Sequence, residues 1–358
     1  MKVLFISRST LFTQRGGDTV QVENTAQQLS IAGIKVDVHI AGDKIDYEQY
    51  DLIHFFNLTR PADILFHIAR TNKPFVVSPI LVDYAEYDKL HRPGLAGISF
   101  RFLSANGIEY IKTIARGIKA NDTIKSFSYL LKGHRKSIIT ILKKTSMIIS
   151  NSFMEYQQLV SSFSVAPEYF IAPNGIDSSL FQCHNIEKDP DLVICAARIE
   201  GIKNQLNLIK ALNGTKYRLL IIGSPAVNQT DYYHQCKKLA AKNIEFIEHL
   251  PQNKLALFYQ KAKVHVLPSW FETCGLSSLE AASMGCNIVV SNKGFVSEYF
   301  EDMAWYCDPA SPASILKAVE DAAMNETKKD LQQKIVKNYT WKNAATKTAE
   351  AYHKVLQQ

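Results

Sequence analysis

Two glutamates eight positions apart, Glu272 and Glu280, flank a turn of small residues in the segment PSWFETCGLSSLEAASMG, which runs from Pro268 to Gly285. The run before it, VHVLPS, is apolar and reads as a buried parallel strand ending near Ser269. A helix then opens near Cys274 to Ser277, and small residues there let backbone N–H groups and the helix dipole approach an anion. Glu272 falls on the loop at the carboxyl end of the strand and Glu280 about one turn into the helix, so both can face one crevice. That is a layout for holding a phosphate and two hydroxyl-bearing groups. Either glutamate alone reads equally well as a solvated acid; their placement around an anion-ready turn is what points to a site.

A second pair of charged residues fits the same chemistry. From Asp191 the sequence DLVICAARIEGIKNQLNLIKAL gives a strand, a basic loop and an amphipathic helix with Leu206, Ile209 and Leu212 on one face. Arg198 and Lys203 fall in the loop, at the end of the strand where open α/β sheets bind ligands. Two cations there would neutralise a diphosphate and stabilise the charge that grows on it as it leaves.

The Glu-x7-Glu spacing within PSWFETCGLSSLEAASMG resembles the signature of the retaining family 4 glycosyltransferases, which use a nucleotide-sugar donor and the two-domain GT-B fold. The resemblance implies that Glu272 lies by the donor sugar and that Glu280 binds the ribose hydroxyls. It sets the backbone of Thr273, Cys274, Gly275 and Leu276 along the sugar and diphosphate, and assigns Arg198 and Lys203 to the diphosphate. Glu272, Arg198 and Lys203 are thus the expected catalytic residues. The base is expected at the turn after the third strand of this half, where Glu248 and His249 replace the family's usual glycine, leaving a uridine or a guanosine donor open. The nucleotide-sugar is a substrate, so no cofactor and no catalytic metal are expected. An Asp-x-Asp does occur at Asp189 and Asp191, but ahead of its strand rather than after it.

Short apolar strands separated by helical stretches run through both halves, giving an α/β protein of two Rossmann-like, doubly wound parallel-sheet domains, which the resemblance sets facing a central cleft. In the second half the strand from Asp191 is followed by YRLLIIGSP, IEFIEHL, VHVLPS and CNIVVSN. In the first they are KVLFIS, KVDVHI, DLIHFFN, PFVVSPILVDY (Pro74 to Tyr84) and SMIISNS. Gly16 and Gly17 lead from the first strand into a helix capped by Asp18 or Thr19, and the resemblance sets that loop near the donor phosphate and the acceptor. A His-Asp pair that many family members carry is missing, since LVDYAEYDK has Val82 before Asp83. Asp18, Asn57, Asp83, Tyr84 and Glu86 remain as acceptor-side candidates, while His54 reads as a core histidine. The expected divisions are 1–167, 168–338 with IAPNGID at its start, and a last helix, 339–358, returning to the first domain.

Composition bounds the remaining classes. The chain has 358 residues, 46% of them apolar, enough for two cores. It has no apolar run near the ~18 residues of a spanning helix and no cleavable leader pattern, so a cytoplasmic protein is expected. Six cysteines without CxxC spacing read as reduced thiols, Cys274 alone standing beside the phosphate turn. Residues 81–145 hold twelve Lys and Arg against five Asp and Glu, which equals the net +7 of the whole chain. Two amphipathic helices are readable there, one with Ile108, Ile111, Ala115 and Ile118 opposite Lys112, Arg116 and Lys119. The other aligns Phe127, Leu131, Ile138 and Leu142, flanked by Lys132, Arg135, Lys136 and Lys143. Such helices suit an anionic membrane surface, on the inner face of the cytoplasmic membrane, and no nucleic-acid motif accompanies the charge. The expected function is sugar transfer, with retention, to a glycan or lipid-linked acceptor in cell-surface polysaccharide or glycoconjugate synthesis. The alternatives are a nucleotide-sugar epimerase or hydrolase on the same fold, and a non-catalytic membrane scaffold.

Overall fold

The computed structural model describes residues 1–92, 99–101, 103–119, 126–183 and 186–357, with the side chains of 116–119 outside the description. Among the described residues the strands form two six-stranded sheets in which every neighbouring pair runs parallel. The first contains β1 (Lys2–Ser7), β2 (Lys35–Ile40), β3 (Leu52–Phe56), β4 (Phe75–Ser78), β5 (Met147–Ser150) and β6 (Tyr169–Ile171), in the order β2-β1-β3-β4-β5-β6. The second contains β7 (Asp189–Ala196), β8 (Arg218–Ile222), β9 (Ile244–Ile247), β10 (Ala262–Leu267), β11 (Asn287–Ser291) and β12 (Trp305–Cys307), in the order β12-β11-β10-β7-β8-β9.

Strands β3, β4, β5 and β11 are buried along their whole length, as expected of parallel strands covered on both faces. The two-residue period of β1 divides its side chains between two cores. Val3 and Phe5 join Leu52, Val76 and Ile149 on one face, while Leu4 and Ile6 join Ile53, Val77 and Ile148 on the other. The last helix, Trp341–Leu356, lays Ala345, Ala351, Tyr352 and Val355 on the Val3 face. There the Tyr352 hydroxyl meets His54 Nδ1 at 2.6 Å, and Ser78 Oγ meets Nε2 at 2.9 Å. Burial depresses the His54 pKa to about 3, so this is a neutral core histidine, as its strand position implied.

The chain divides into two compact units. The first comprises 1–82, the described residues of 99–174, and 341–357; the second comprises 83–92 and 175–340. The division falls after Asn174 rather than at 167, because Tyr169–Ile171 pairs with β5 and so completes the first sheet. The expected strand from Pro74 to Tyr84 ends at Ser78, and Ile80 turns the chain out of the sheet at φ 46°. Residues 83–92 then belong to the second unit, not to the first-domain stretch assigned from sequence. Asp189 and Asp191 lie inside β7, at its amino end, where they pair with Arg218 and Lys216. Strand β12 went unread because three residues are too few to show a period.

The basic helices exist, Ala105–Lys119 and Phe127–Leu142, but their faces differ from expectation. In the first, Ile108 is buried and Ile111 exposed, while Lys112 is partly covered and paired with Glu109 at 2.8 Å. The expected roles of Arg116, Ile118 and Lys119 fall on side chains outside the description. In the second helix Gly133 takes φ 72° and ψ 177°, which breaks the ladder and turns the two halves relative to each other. Ile138 and Leu142 are buried, whereas Phe127 and Leu131 are 72% and 74% exposed instead of sharing their face.

Candidate functional site

The order of the second sheet reverses direction between β7 and β10, the neighbours from which successive strands run outward to either side. Loops leaving the carboxyl ends of two such strands diverge and open a crevice, the usual ligand position in open α/β sheets. The loop after β7 carries Arg198 and Lys203, and the loop after β10 carries Ser269 and Glu272. Residues 69 positions apart in the chain meet there: the Lys203 ammonium bonds the Glu272 carboxylate, whose Oε1 also accepts from Ser269 Oγ at 2.8 Å. The Lys203 and Glu272 side chains are 20% and 9% exposed, so this is a largely desolvated pair. Arg198 is more open and donates from Nη2 to Glu200 at 2.9 Å.

The loop after β11 fixes Glu272 from behind. Its backbone N–H reaches the Lys293 carbonyl at 3.3 Å and its carbonyl accepts from Phe295 at 2.8 Å. Gly294 sits at φ 88°, where an added Cβ would stand 2.0 Å from the Glu272 carbonyl oxygen. No other residue fits, and the site depends on this close approach. A similar approach joins the loops after β7 and β8, since a Cβ on Gly223 would stand 2.0 Å from the Ala197 carbonyl oxygen. Sequence reasoning passed over Gly223, Ser269, Gly294 and Gln252. The glycines stand just past strand ends, which was the available signal; the two polar side chains gave none.

Helix Leu276–Ser283 opens on Gly275, which takes a left-handed φ of 65° where the loop of Thr273 and Cys274 meets the helix. Cys274 is buried, so at this turn its backbone is what a ligand can meet. Glu280, one turn on, is buried and accepts a hydrogen bond from Gln252 Nε2 at 3.2 Å. Burial lifts its carboxyl to about 8 and the Gln252 bond opposes that rise. A carboxyl held out of water with one neutral partner is poised to accept further donors. Glu248 and His249 lie exposed just past the edge strand β9.

The remaining candidates have local partners of their own. Gly16 caps helix Gly17–Ile31 in extended conformation, in place of the expected Asp18 or Thr19. The Asp18 carboxylate is gripped at both oxygens by Arg8, at 2.5 and 2.9 Å, and that buried bidentate pair makes it a strut of the β1 loop. Asn57 takes φ 75° after β3 and accepts from the Thr59 backbone at 3.1 Å, a turn-forming role. Asp83, Tyr84 and Glu86 lie in the segment that folds with the second unit, which removes them from the first-domain wall where they were expected. Asp83 accepts from the Ala85 N–H at 2.8 Å, and Glu86 pairs with Lys293 at 3.0 Å.

Residues 177–340 match the family model described as Glycosyl transferases group 1. Over 115 residues the chain is 34% identical to O-antigen chain mannosyltransferase B of Escherichia coli, a match spanning 30% of either protein. Its structure is similar to that of sucrose-phosphate synthase from Thermosynechococcus elongatus, with a TM-score of 0.74 at 15% identity over 100% of this chain and 99% of that one. It is also similar to Anabaena Alr3699/HepE in complex with UDP and glucose, with a TM-score of 0.68 at 15% identity over 99% of both chains. The matched residues 177–340 hold the second sheet with its β7–β10 crevice, and the two parallel-sheet units have the GT-B fold of these solved structures.

Proposed function

We propose that the chain transfers a sugar from a nucleotide-sugar donor to a glycan or lipid-linked acceptor with retention of anomeric configuration, in the synthesis of a cell-surface polysaccharide or glycoconjugate. The observation that carries this is the meeting of Lys203 and Glu272 across the β7–β10 reversal, with Arg198 on the loop that carries Lys203 and the buried Glu280 one turn into the helix that follows Glu272. Both cations are already matched with carboxylates, Arg198 with Glu200 and Lys203 with Glu272. A lysine has three donors and an arginine five, so each can keep its carboxylate and still take a phosphate oxygen. Lys203 and Arg198 then stabilise the departing nucleoside diphosphate, Glu280 accepts from the ribose hydroxyls, and Glu272 faces the sugar. The leaving phosphate takes the acceptor proton on the face from which it departs. Neither a metal ion nor a cofactor enters this scheme.

The reading extends to where the acceptor is met. Phe127, Leu130 and Leu131 are exposed on one turn, with Lys132, Arg135 and Lys136 immediately after it. Exposed apolar side chains beside cations fit an anionic lipid surface, each near-surface cation contributing about 1 kcal/mol. Among the described residues no helix is long and apolar enough to cross a membrane, so such docking would be peripheral.

The test is a thermal-shift and calorimetry panel of UDP, GDP, UDP-glucose and GDP-mannose. A ligand at a hundred times its dissociation constant adds about 2.7 kcal/mol to stability, an unmistakable shift. Binding of one nucleotide family, with donor turnover that rises on adding an acceptor glycan, is expected. Failure of all four to bind sinks the proposal; turnover indifferent to every acceptor makes the protein a hydrolase or epimerase.

A further inference from the structure

Residues 83–92 leave the first unit just after β4 and fold onto the second, and where they land is specific. The segment forms a single helical turn, Tyr87–His91, braced by Arg92 on the buried Asp88 at 2.6 Å. From that turn and its cap residue Glu86 three side chains reach three different loops, each leaving the carboxyl end of one strand of the second sheet. Tyr87 reaches the loop after β7: its hydroxyl lies where a side chain on Gly201 would begin, 1.7 Å from the position of an added Cβ. His91 reaches the loop after β10, its ring stacked on Trp270 with centroids 3.6 Å apart and planes 15° apart. Glu86 reaches the loop after β11, with both carboxylate oxygens 3.0 Å from Lys293 Nζ.

Two of the contacted residues are tied by backbone hydrogen bonds to the Lys203 loop and to Glu272, and Gly201 stands two positions before Lys203. The Trp270 backbone N–H donates to the Ile202 carbonyl at 2.8 Å, next to Lys203. The Lys293 carbonyl is the partner of the Glu272 N–H. We infer that residues 83–92 are a strap that positions the donor site, with Glu86, Tyr87 and His91 setting the spacing of the loops that carry Lys203 and Glu272. These are positioning residues: they act through Gly201, Trp270 and Lys293. The inference deepens the glycosyltransferase reading and rests on it. It also replaces the acceptor-side role that chain order gave to Glu86.

Rigid placement of a leaving-group site acts on the chemical step more than on ground-state binding, since small displacements of reacting groups cost rate. Nucleotide affinity should therefore survive loss of the strap while turnover falls. The experiment uses the full chain and four variants: Tyr87→Ala, Glu86→Lys, Lys293→Glu and the double reversal Glu86→Lys with Lys293→Glu. Each is assayed for UDP and GDP affinity by calorimetry, for kcat and KM on UDP-glucose and GDP-mannose, and for melting temperature. The single variants should lose about tenfold in kcat with nucleotide affinity changed less than about threefold, and the double reversal should regain most of the loss. Native-like kcat in Tyr87→Ala and Glu86→Lys overturns the strap, as does a double reversal no better than the single changes. A native protein that neither binds UDP or GDP nor turns over either donor overturns the function reading itself, and the two failures are thereby distinct. A geometric control needs no substrate: Gly201→Ala should lower the melting temperature in the native background and much less in the Tyr87→Ala background. Equal loss in both backgrounds overturns the strap.

Discussion

Replacing Glu280 by glutamine should make the unliganded protein more stable and a poorer binder, with the stability gain growing as pH rises and reaching its full size above about pH 8. The carboxyl is buried with one hydrogen bond, from the neutral Gln252, and its pKa stands near 8 against an ordinary 4.5. Because the folded value is raised, the stabilisation by the protonated form is complete below about pH 4.5 and is lost as pH climbs to about 8. A glutamine imitates the protonated acid at every pH. The gap between variant and native stability should thus open from pH 5 upward and level off above pH 8. A shift of this size corresponds to about 5 kcal/mol at ~1.4 kcal/mol per unit, and relaxation with water entry brings a working figure nearer ~2 kcal/mol. For a unit of this size that is about 4 to 8 °C in melting temperature. Thermal melts of both proteins at half-unit steps from pH 5 to pH 9 measure it. A gap that stays constant across that range refutes the buried-acid reasoning.

The same substitution should act on binding with the opposite sign. Ribose hydroxyls donating to Glu280 favour its ionised form, so nucleoside diphosphate affinity in the native protein should rise with pH toward 8. The glutamine variant should lose the pH dependence and about 1.5–3 kcal/mol of affinity, roughly 10- to 150-fold. A variant that gains stability yet binds the nucleotide normally would leave Glu280 a buried acid with no part in the donor site.

Arg198→Ala and Lys203→Ala should each lower turnover at saturating donor by ~100-fold or more, while only Lys203→Ala also costs about 3–5 kcal/mol of stability by stranding the buried Glu272 carboxylate. Near-native kcat in both variants would take the pair out of the mechanism. Gly294→Ala should destabilise the second unit by more than 3 kcal/mol in denaturant titration, because the new methyl would overlap the Glu272 carbonyl at a positive φ. Vesicle flotation should show binding that needs acidic lipid and fades with salt, and the joint change Lys132→Ala, Arg135→Ala, Lys136→Ala should abolish it while sparing nucleotide affinity. Equal flotation of that variant would make the helix an ordinary surface element.

What could be read from the chain depended on the range over which each interaction acts. Strands such as FVVS and NIVVS are buried on both sides, so their identity is written in four or five adjacent residues. The pairing of Glu272 with Lys203 was within reach because strand-end loops of a doubly wound sheet converge by topology, whatever lies between them. Side-chain faces across Gly133 were not, since a helical period assumes an unbroken ladder and one left-handed residue resets the phase. The Gln252 contact to Glu280 joins side chains 28 positions apart that share no repeating pattern.

The segment 83–92 is the most instructive failure of sequence order. Its acids followed a strand of the first sheet, and proximity in the chain assigned them to the first unit's wall. Yet a segment folds where its side chains are satisfied, and here the decisive partner is a residue without a side chain. Gly201 leaves the space that the Tyr87 hydroxyl fills, Trp270 supplies the face on which His91 stacks, and Lys293 supplies the charge for Glu86. The exposed ion pair is the weakest of these contacts, because water competes for both partners. The close fit and the stack leave Tyr87 and Trp270 buried and therefore carry the docking. The ion pair then chooses which loop the strap pulls on, and it pulls on the one that holds the Glu272 backbone.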